Sequence, residues 1–357
     1  MAWEVLLETS GGVVVGAFTE PRNFKYTRQE NSFCELEFET YDVYDLNLVQ
    51  ASPHNRRIKA YRDGVLKFRG PLQTPLVINQ DGAKIIARDY FATKAAQPDD
   101  DGAAEYTATI YNITIDIFER MGIDAFIEVD TNDPGAAITR KIKAGQRIDE
   151  FLKLSASTNP TSGLWFRIDP QEGSVPNKIT WYSYSERVPN AQARFEYGKT
   201  TLDNCQGFEI QSRRIINKVT VRGKGVSATV EDTDSQAEYG IHKLRLRRPG
   251  VDTASMATAV ASKHLSPTPY TIGHFEPGPN APKLFDDYDV GDKCQAYFKV
   301  GKLAYLANDL IPTRVEVTVE NGVENVAWGD DIVANKTRRK AKRVTAASSR
   351  RYTKGRP

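Results

Sequence analysis

The stretch SFCELEFET, Ser32 to Thr40, decides how the chain begins to fold. Cys34, Leu36 and Phe38 alternate with Glu35, Glu37 and Glu39, the period of two that a strand has and a helix lacks. The apolar set points inward and the glutamates point outward. WEVLLE and VVVGAF before it also read as strands. Two hairpins follow, RRIKAYRDGVLKFRG turning at Asp63-Gly64 and LVINQDGAKIIARDY turning at Asp81-Gly82. Short strands at regular spacing with turn signals imply a barrel or a sandwich rather than a βαβ domain.

After ARDYFATKAAQPDDDG the period changes. In TATIYNITIDIFERMGI the residues Ile110, Ile113, Ile117 and Met121 keep helical spacing, with Gly122 placed as a left-handed cap. FIEV is a strand, GQRIDEFLKLSAST a helix with Ile148, Phe151 and Leu152 on one face, and GLWFRID with KITWYSYSE a strand pair. This is a small α+β domain. From about Phe195 strands return: RRIINKVTVRGKG, CQAYFKVGKLAYLA turning at Gly301-Lys302, and TRVEVTVENGVENVAW turning at Asn321-Gly322, the strongest hairpin signal in the chain. Between them TASMATAVASKHL is a helix capped by Asp252 or Thr253 and stopped by Pro267. The expected division is a first β domain at 1–95, an α+β domain at 96–195, a second β domain at 196–332 with an inserted segment at about 226–285, and a basic arm at 333–357.

The inserted segment holds VEDTDSQAEYGIHKLRLRRPG, Val230 to Gly250. Asp232, Asp234 and Glu238 are oxygen ligands in type, but a calcium loop wants an earlier glycine and a later glutamate than this spacing offers. The expectation is a solvated acidic loop entering a half-buried strand. Leu244 and Leu246 face inward there, and Lys243, Arg245 and Arg247 outward, where they keep the edge from pairing. Tyr239 is then an anchor with a buried ring, and Gly240 a position needing positive φ.

The 357 residues are 40% hydrophobic and 10% aromatic, enough for two or three cores and unlike a disordered chain. No segment has signal-peptide character or approaches a bilayer span, which reads as a protein made soluble in a cytoplasm. Cys34, Cys205 and Cys294 are single and far apart, so neither a zinc motif nor a disulfide framework is expected. The net charge of +2 hides an asymmetry. From Asn335 onward there are ten basic residues and no acid, leaving 38 basic against 46 acidic in the body, near −8. Such an arm cannot build a core; it is a flexible, solvated tail or is ordered by a partner. Its cations include Lys336, Arg338, Arg339, Lys340, Lys342, Arg343, Arg350 and Arg351, the candidate contacts to a partner or to nucleic acid.

No chemistry assembles from these residues. His54, His242, His264 and His274 have no nucleophile elbow nearby, and His264 reads as a charge at a helix C-terminus. There is no zinc-hydrolase motif, and GGVVVG lacks the residues of a phosphate loop. Asp99 to Asp101, Asp286-Asp287 and Asp330-Asp331 sit in turns, where aspartate is expected for backbone bonds. Neither catalytic, cofactor nor metal residues are assigned. β domains, a charged arm and no reaction favour an assembly component.

At this point the order of elements resembles the hub proteins of phage tails, known also as baseplate hub, tail-associated or minor tail proteins. The match is carried by YRDGVLKFRGPL, AGQRIDEFLKLSAST before GLWFRID, FEYGKTTLDN leading to INKVTVRGKG, DTDSQAEYGIH with its helix, and YDVGDKCQAYF with TRVEVTVENGVENVAWG. It covers residues 1 to about 332, and the order of the motifs rather than any single one is specific. The resemblance implies a β-rich α+β chain with two tail-tube-like β-barrel domains and intervening small α/β domains. It implies a homotrimer whose six barrels continue a hexameric tube, with a distal tail or tube protein above, a tip or fibre protein below, tape measure protein in the lumen and transient contact with genomic DNA. The virion tail tip or baseplate is the implied location, of siphophage type, and the length suits a compact actinobacterial-phage hub. Tyr239-Gly240 falls in the family's structural insertion. Relatives that carry a wall-cleaving extension differ from this chain, which ends in a basic arm. A tail-associated wall hydrolase and a glycan- or receptor-binding tail protein, with Trp165, Trp181 and Tyr182 as stacking platforms, stand as the alternatives.

Overall fold

The computed structural model describes residues 2–18, 21–41, 47, 56–73, 77–79, 82–99, 105–135, 137–158, 164–183, 189–198, 204–212, 214–267, 270–300, 303–320 and 323–329. Ser32–Thr40 behaves as its alternation requires: Cys34, Leu36 and Phe38 are buried and the glutamates stay half-exposed. The strand Glu35–Thr40 pairs with Arg22–Gln29 on one side and Gly82–Arg88 on the other. Asp63 and Gly64 both take positive φ, +50° and +81°, as a primed hairpin turn demands. The turns at Asn321-Gly322 and Gly301-Lys302 lie outside the described residues.

The two strand-rich regions meet in one sheet. Its eight strands run Cys205–Ser212, Tyr270–Pro277, Val323–Gly329, Arg314–Glu320, Arg22–Gln29, Glu35–Thr40, Gly82–Arg88, Val77–Asn79. The seam between the N-terminal and C-terminal halves is the antiparallel pair Arg314–Glu320 with Arg22–Gln29, in register Val317 to Tyr26. A second sheet, ordered Val14–Phe18, Trp3–Thr9, Arg56–Arg62, Val65–Pro71, and a third of Pro189–Tyr197, Lys293–Val300 and Leu303–Leu310 face the same core. Tyr26, Leu36, Phe38, Phe68, Phe195, Phe298 and Val317 are fully buried together there. Each such aromatic or aliphatic side chain contributes roughly 1.5–3 kcal/mol on burial. Among the described residues the sheets are open, and the two regions expected as separate barrels share one core. Alternation specifies which face of a strand is buried; it carries no information about the neighbouring strand.

The α+β unit has its own core. Helix Ile110–Met121 starts where the Thr109 hydroxyl accepts the Asn112 N–H and ends at Gly122, φ +64°. Its Ile110, Ile113, Ile117 and Phe118 pack with Ile148, Phe151 and Leu152 of helix Ile148–Thr158, and Met121 sits at the rim. Both rest on a sheet of Ile127–Val129, Asn177–Ser183 and Leu164–Pro170.

The third unit is drawn together by a bridge between Ile216 and Ser266. It contains the strands Ser227–Glu231, Lys218–Arg222 and Lys243–Arg247, in that order, covered by helix Ala254–His264, which the Thr253 hydroxyl caps. The segment expected at 226–285 overlaps this unit without coinciding with it, because Tyr270–Pro277 pairs into the large sheet. The acidic stretch expected to be a loop is a helix, Thr233–Tyr239, nucleated by the Asp232 carboxylate accepting the Ser235 N–H at 2.8 Å. That cap overrides the lack of an apolar period. Tyr239 is half-buried rather than a buried anchor, and Gly240 has the positive φ expected of it, +77°.

Candidate functional site

The cations proposed as contacts, Lys336 to Arg351, lie outside the described residues, as does His54. Among the described residues no three His, Cys, Asp or Glu side chains are grouped to hold a metal. Of the acidic trio, Asp232 caps its helix while Asp234 and Glu238 are exposed on it. Asp99 is buried in a two-pronged bond from Arg120, 2.9 and 2.6 Å. His242 is exposed, with Nε2 3.0 Å from the Tyr239 carbonyl. Burial pushes the Cys34 thiol far up and the Cys294 thiol up to about 12, so neither is a thiolate nucleophile at neutral pH. Trp181 and Trp165 are core residues: the Trp181 indole donates to the Thr114 hydroxyl at 3.1 Å and that of Trp165 to the Ser183 carbonyl at 3.3 Å. Tyr182 stacks on Trp165 with ring centres 4.4 Å apart.

What the fold does bring together is charge, at the joint between the main body and the α+β unit. On strand Arg22–Gln29 the residues Phe24, Tyr26 and Arg28 share the inward face. The first two fill the core. Arg28 reaches past its edge with only 4% of its side chain exposed, to Asp169 at the end of strand Leu164–Pro170 and to Asp289, 3.5 Å, in the turn before Lys293–Val300. Arg167 completes the set, 3.0 Å from Asp169 and 3.5 Å from Asp289. Two guanidinium groups and two carboxylates thus balance. Burial by itself would raise Asp169, but Arg28 and Arg167 outweigh it and hold the carboxyl below its ordinary value. Asn31 beside them closes a pair of bonds with Phe166, accepting its N–H at 2.8 Å and donating to its carbonyl at 3.0 Å.

The other side of the same unit is clamped by Arg69. Its guanidinium binds fully buried Glu8 at 2.7 Å and donates to the carbonyls of Gln171 and Gly173 at 2.8 and 2.7 Å. Lys59 bridges Glu8 and Glu172, 3.3 and 3.1 Å. Asn177 donates to the Arg69 carbonyl and accepts the Tyr90 N–H, both at 3.1 Å. Trp165 lies so close over Gly291 that a Cβ there would stand 2.3 Å from the indole. These directional ion pairs and hydrogen bonds tie the α+β unit to the main body at several separated points. The arrangement positions modules. Sequence reasoning missed it, although an arginine in register with Phe24 and Tyr26 was a readable signal.

No protein-family model matches the sequence, and no curated protein matches it. Solved structures do match by fold. The 43 kDa tail protein of prophage MuSo2 from Shewanella oneidensis aligns with a TM-score of 0.59 at 14% identity, over 91% of this chain and 96% of that one. Prophage tail protein gp18 from Listeria monocytogenes EGD-e aligns with a TM-score of 0.63 at 11% identity, over 95% and 98%. The c3393 protein of E. coli, a type VI secretion component similar in structure to the T4 tail proteins gp27 and gp5, aligns with a TM-score of 0.52 at 10% identity, over 90% and 75%. Over nine-tenths or more of its length, the chain is similar in its β-rich α+β fold to these two prophage tail proteins and this secretion component.

Proposed function

We propose that this chain is a structural subunit of a phage tail, acting as a trimeric hub at the distal end of the tail tube. Three copies would form a ring that joins the hexameric tube above to a three-fold tip below and lines the path of the DNA, with tape measure protein in the lumen. The observation that carries this reading is the alignment with two prophage tail proteins over nine-tenths or more of both chains in each case. The structures it resembles are described as tail components, and the proposed role is non-enzymatic. Regions 1–95 and 196–332 would supply the two tube-like faces of each copy, and the siphophage, actinobacterial origin belongs to the same proposal.

The basic arm, 333–357, would dock on an acidic surface of a neighbouring tail subunit. A body near −8 and ten cations without an acid support docking over a grip on the passing genome, which would hinder ejection. Light scattering of the purified chain and negative-stain images of tails test the hub. A three-fold ring is expected, and tails that contain one or six copies, with only monomer in solution, overturn it. Deleting 335–357 should leave the fold intact and lower tail yield; normal yield of infectious particles refutes docking.

A further inference from the structure

The small sheet of the third unit has one open edge. Strand Lys243–Arg247 pairs in parallel with Lys218–Arg222 and, among the described residues, with no other strand. The His242 carbonyl accepts the Lys218 N–H at 3.2 Å and the Arg248 N–H donates to the Arg222 carbonyl at 2.9 Å. The even-numbered residues therefore turn their backbone groups inward to the ladder. Backbone direction alternates along a strand, so Lys243, Arg245 and Arg247 turn theirs to the open edge.

The side chains of the same three residues stand exposed on the polar face of the sheet, in register with Lys218, Thr220 and Arg222. Lys218 is paired with Glu231 at 2.6 Å, whereas Arg222, Lys243, Arg245 and Arg247 form no ion pair among the described residues. On the opposite face helix Ala254–His264 packs against Lys218–Arg222 and Ser227–Glu231, and Leu244 and Leu246 lie toward its margin, half-buried. Ile241 beside them is 59% exposed.

We propose that this edge receives an extended segment of another protein as a fourth strand, one that alternates acidic and apolar residues. Its acids would meet Arg245, Arg247 and Lys243 on one face. Its apolar residues would complete the cover of Leu244 and Leu246 on the other. The main chain would satisfy the outward donors and acceptors of residues 243, 245 and 247. The cation row sets the partner's chemistry, since two such strands laid edge to edge would oppose like charges while an acidic strand is matched. A nucleic acid is the poorer fit, because the exposed face of the three strands carries no aromatic ring for a base to stack on.

The test uses the full chain and a labelled heptapeptide of sequence Thr-Glu-Val-Glu-Val-Glu-Thr, followed by anisotropy at low salt. Arg245→Gln removes one cation and should weaken binding about threefold. Arg245→Pro removes in addition an N–H that bonds nothing inside the protein, so it should melt with the wild type and bind about fivefold more weakly than Arg245→Gln. The same heptapeptide N-methylated at alternate residues should not bind. Absence of binding by the parent peptide, equal binding of the methylated one, or short duplex DNA that competes for the site and weakens equally with both variants would overturn the proposal.

Discussion

Replacing Arg28 by methionine should loosen the joint between the main body and the α+β unit. Methionine fills much of the volume of the arginine stem, so the loss is electrostatic. Asp169 and Asp289 would be left to share Arg167, with a net negative charge at a site whose departed cation was 4% exposed. Breaking a buried ion pair from one side costs about 3–5 kcal/mol. Both carboxylates keep 24% of their side chains exposed, which puts the expected loss at the lower end, about 3 kcal/mol. The pH dependence separates this from a packing defect. Asp169 is held below its ordinary value in the folded protein, so its contribution is present above the unfolded value of about 3.9 and is lost as pH falls through the folded one. Without Arg28 one of the two charges that lower it is gone, so the deficit should be full at neutral pH and shrink only as pH falls below about 3.9, through the folded value. Urea unfolding followed by near-ultraviolet circular dichroism, at pH 7 and at about pH 3, below the unfolded value, reads both. A deficit under about 1 kcal/mol at pH 7, or an equal one at both values, would refute the assignment of the joint to charge. Arg28→Met with Asp169→Asn restores the balance and should recover part of the loss.

Gly291→Ala should destabilise by about 1–3 kcal/mol, since its φ of +96° and an indole 2.3 Å from where the new Cβ would stand both oppose a side chain; an unchanged melt and unchanged Trp165 environment by fluorescence would contradict it. Burial pushes Asp89 up to about 7, although it accepts the N–H groups of Cys34 and Ala92 at 2.6 and 3.1 Å. Its folded value lies above the unfolded about 3.9, so its contribution is full below that and is lost as pH rises through 7; Asp89→Asn should flatten stability between about pH 4 and 7, and a wild-type slope would rule this out. Alkylation of the native protein should reach half-buried Cys205 before buried Cys34 and Cys294, in an order that mass spectrometry reads directly; simultaneous labelling would mean that the cores open together.

Much of the local structure was legible because its causes are local. The alternation of Cys34, Leu36 and Phe38 specified a strand and its buried face, Asp63-Gly64 a primed turn, and Ile110, Ile113 and Ile117 with Gly122 a helix and its end. Each is a matter of side-chain direction or backbone freedom within a few residues. The helix Thr233–Tyr239 escaped because it has no apolar period; its signal was the single cap at Asp232. Only the tertiary structure decided the rest. That Arg314–Glu320 lies beside Arg22–Gln29, and so joins the two ends of the chain in one sheet, depends on backbone hydrogen bonds that any two strands can make. That Arg28, Arg167, Asp169 and Asp289 meet depends on that sheet, since residues 28, 169 and 289 are brought from three distant parts of the chain to within ion-pair distance. Burial there makes their charges strong partners, and burial is a property of the folded surroundings, which no stretch of sequence carries by itself.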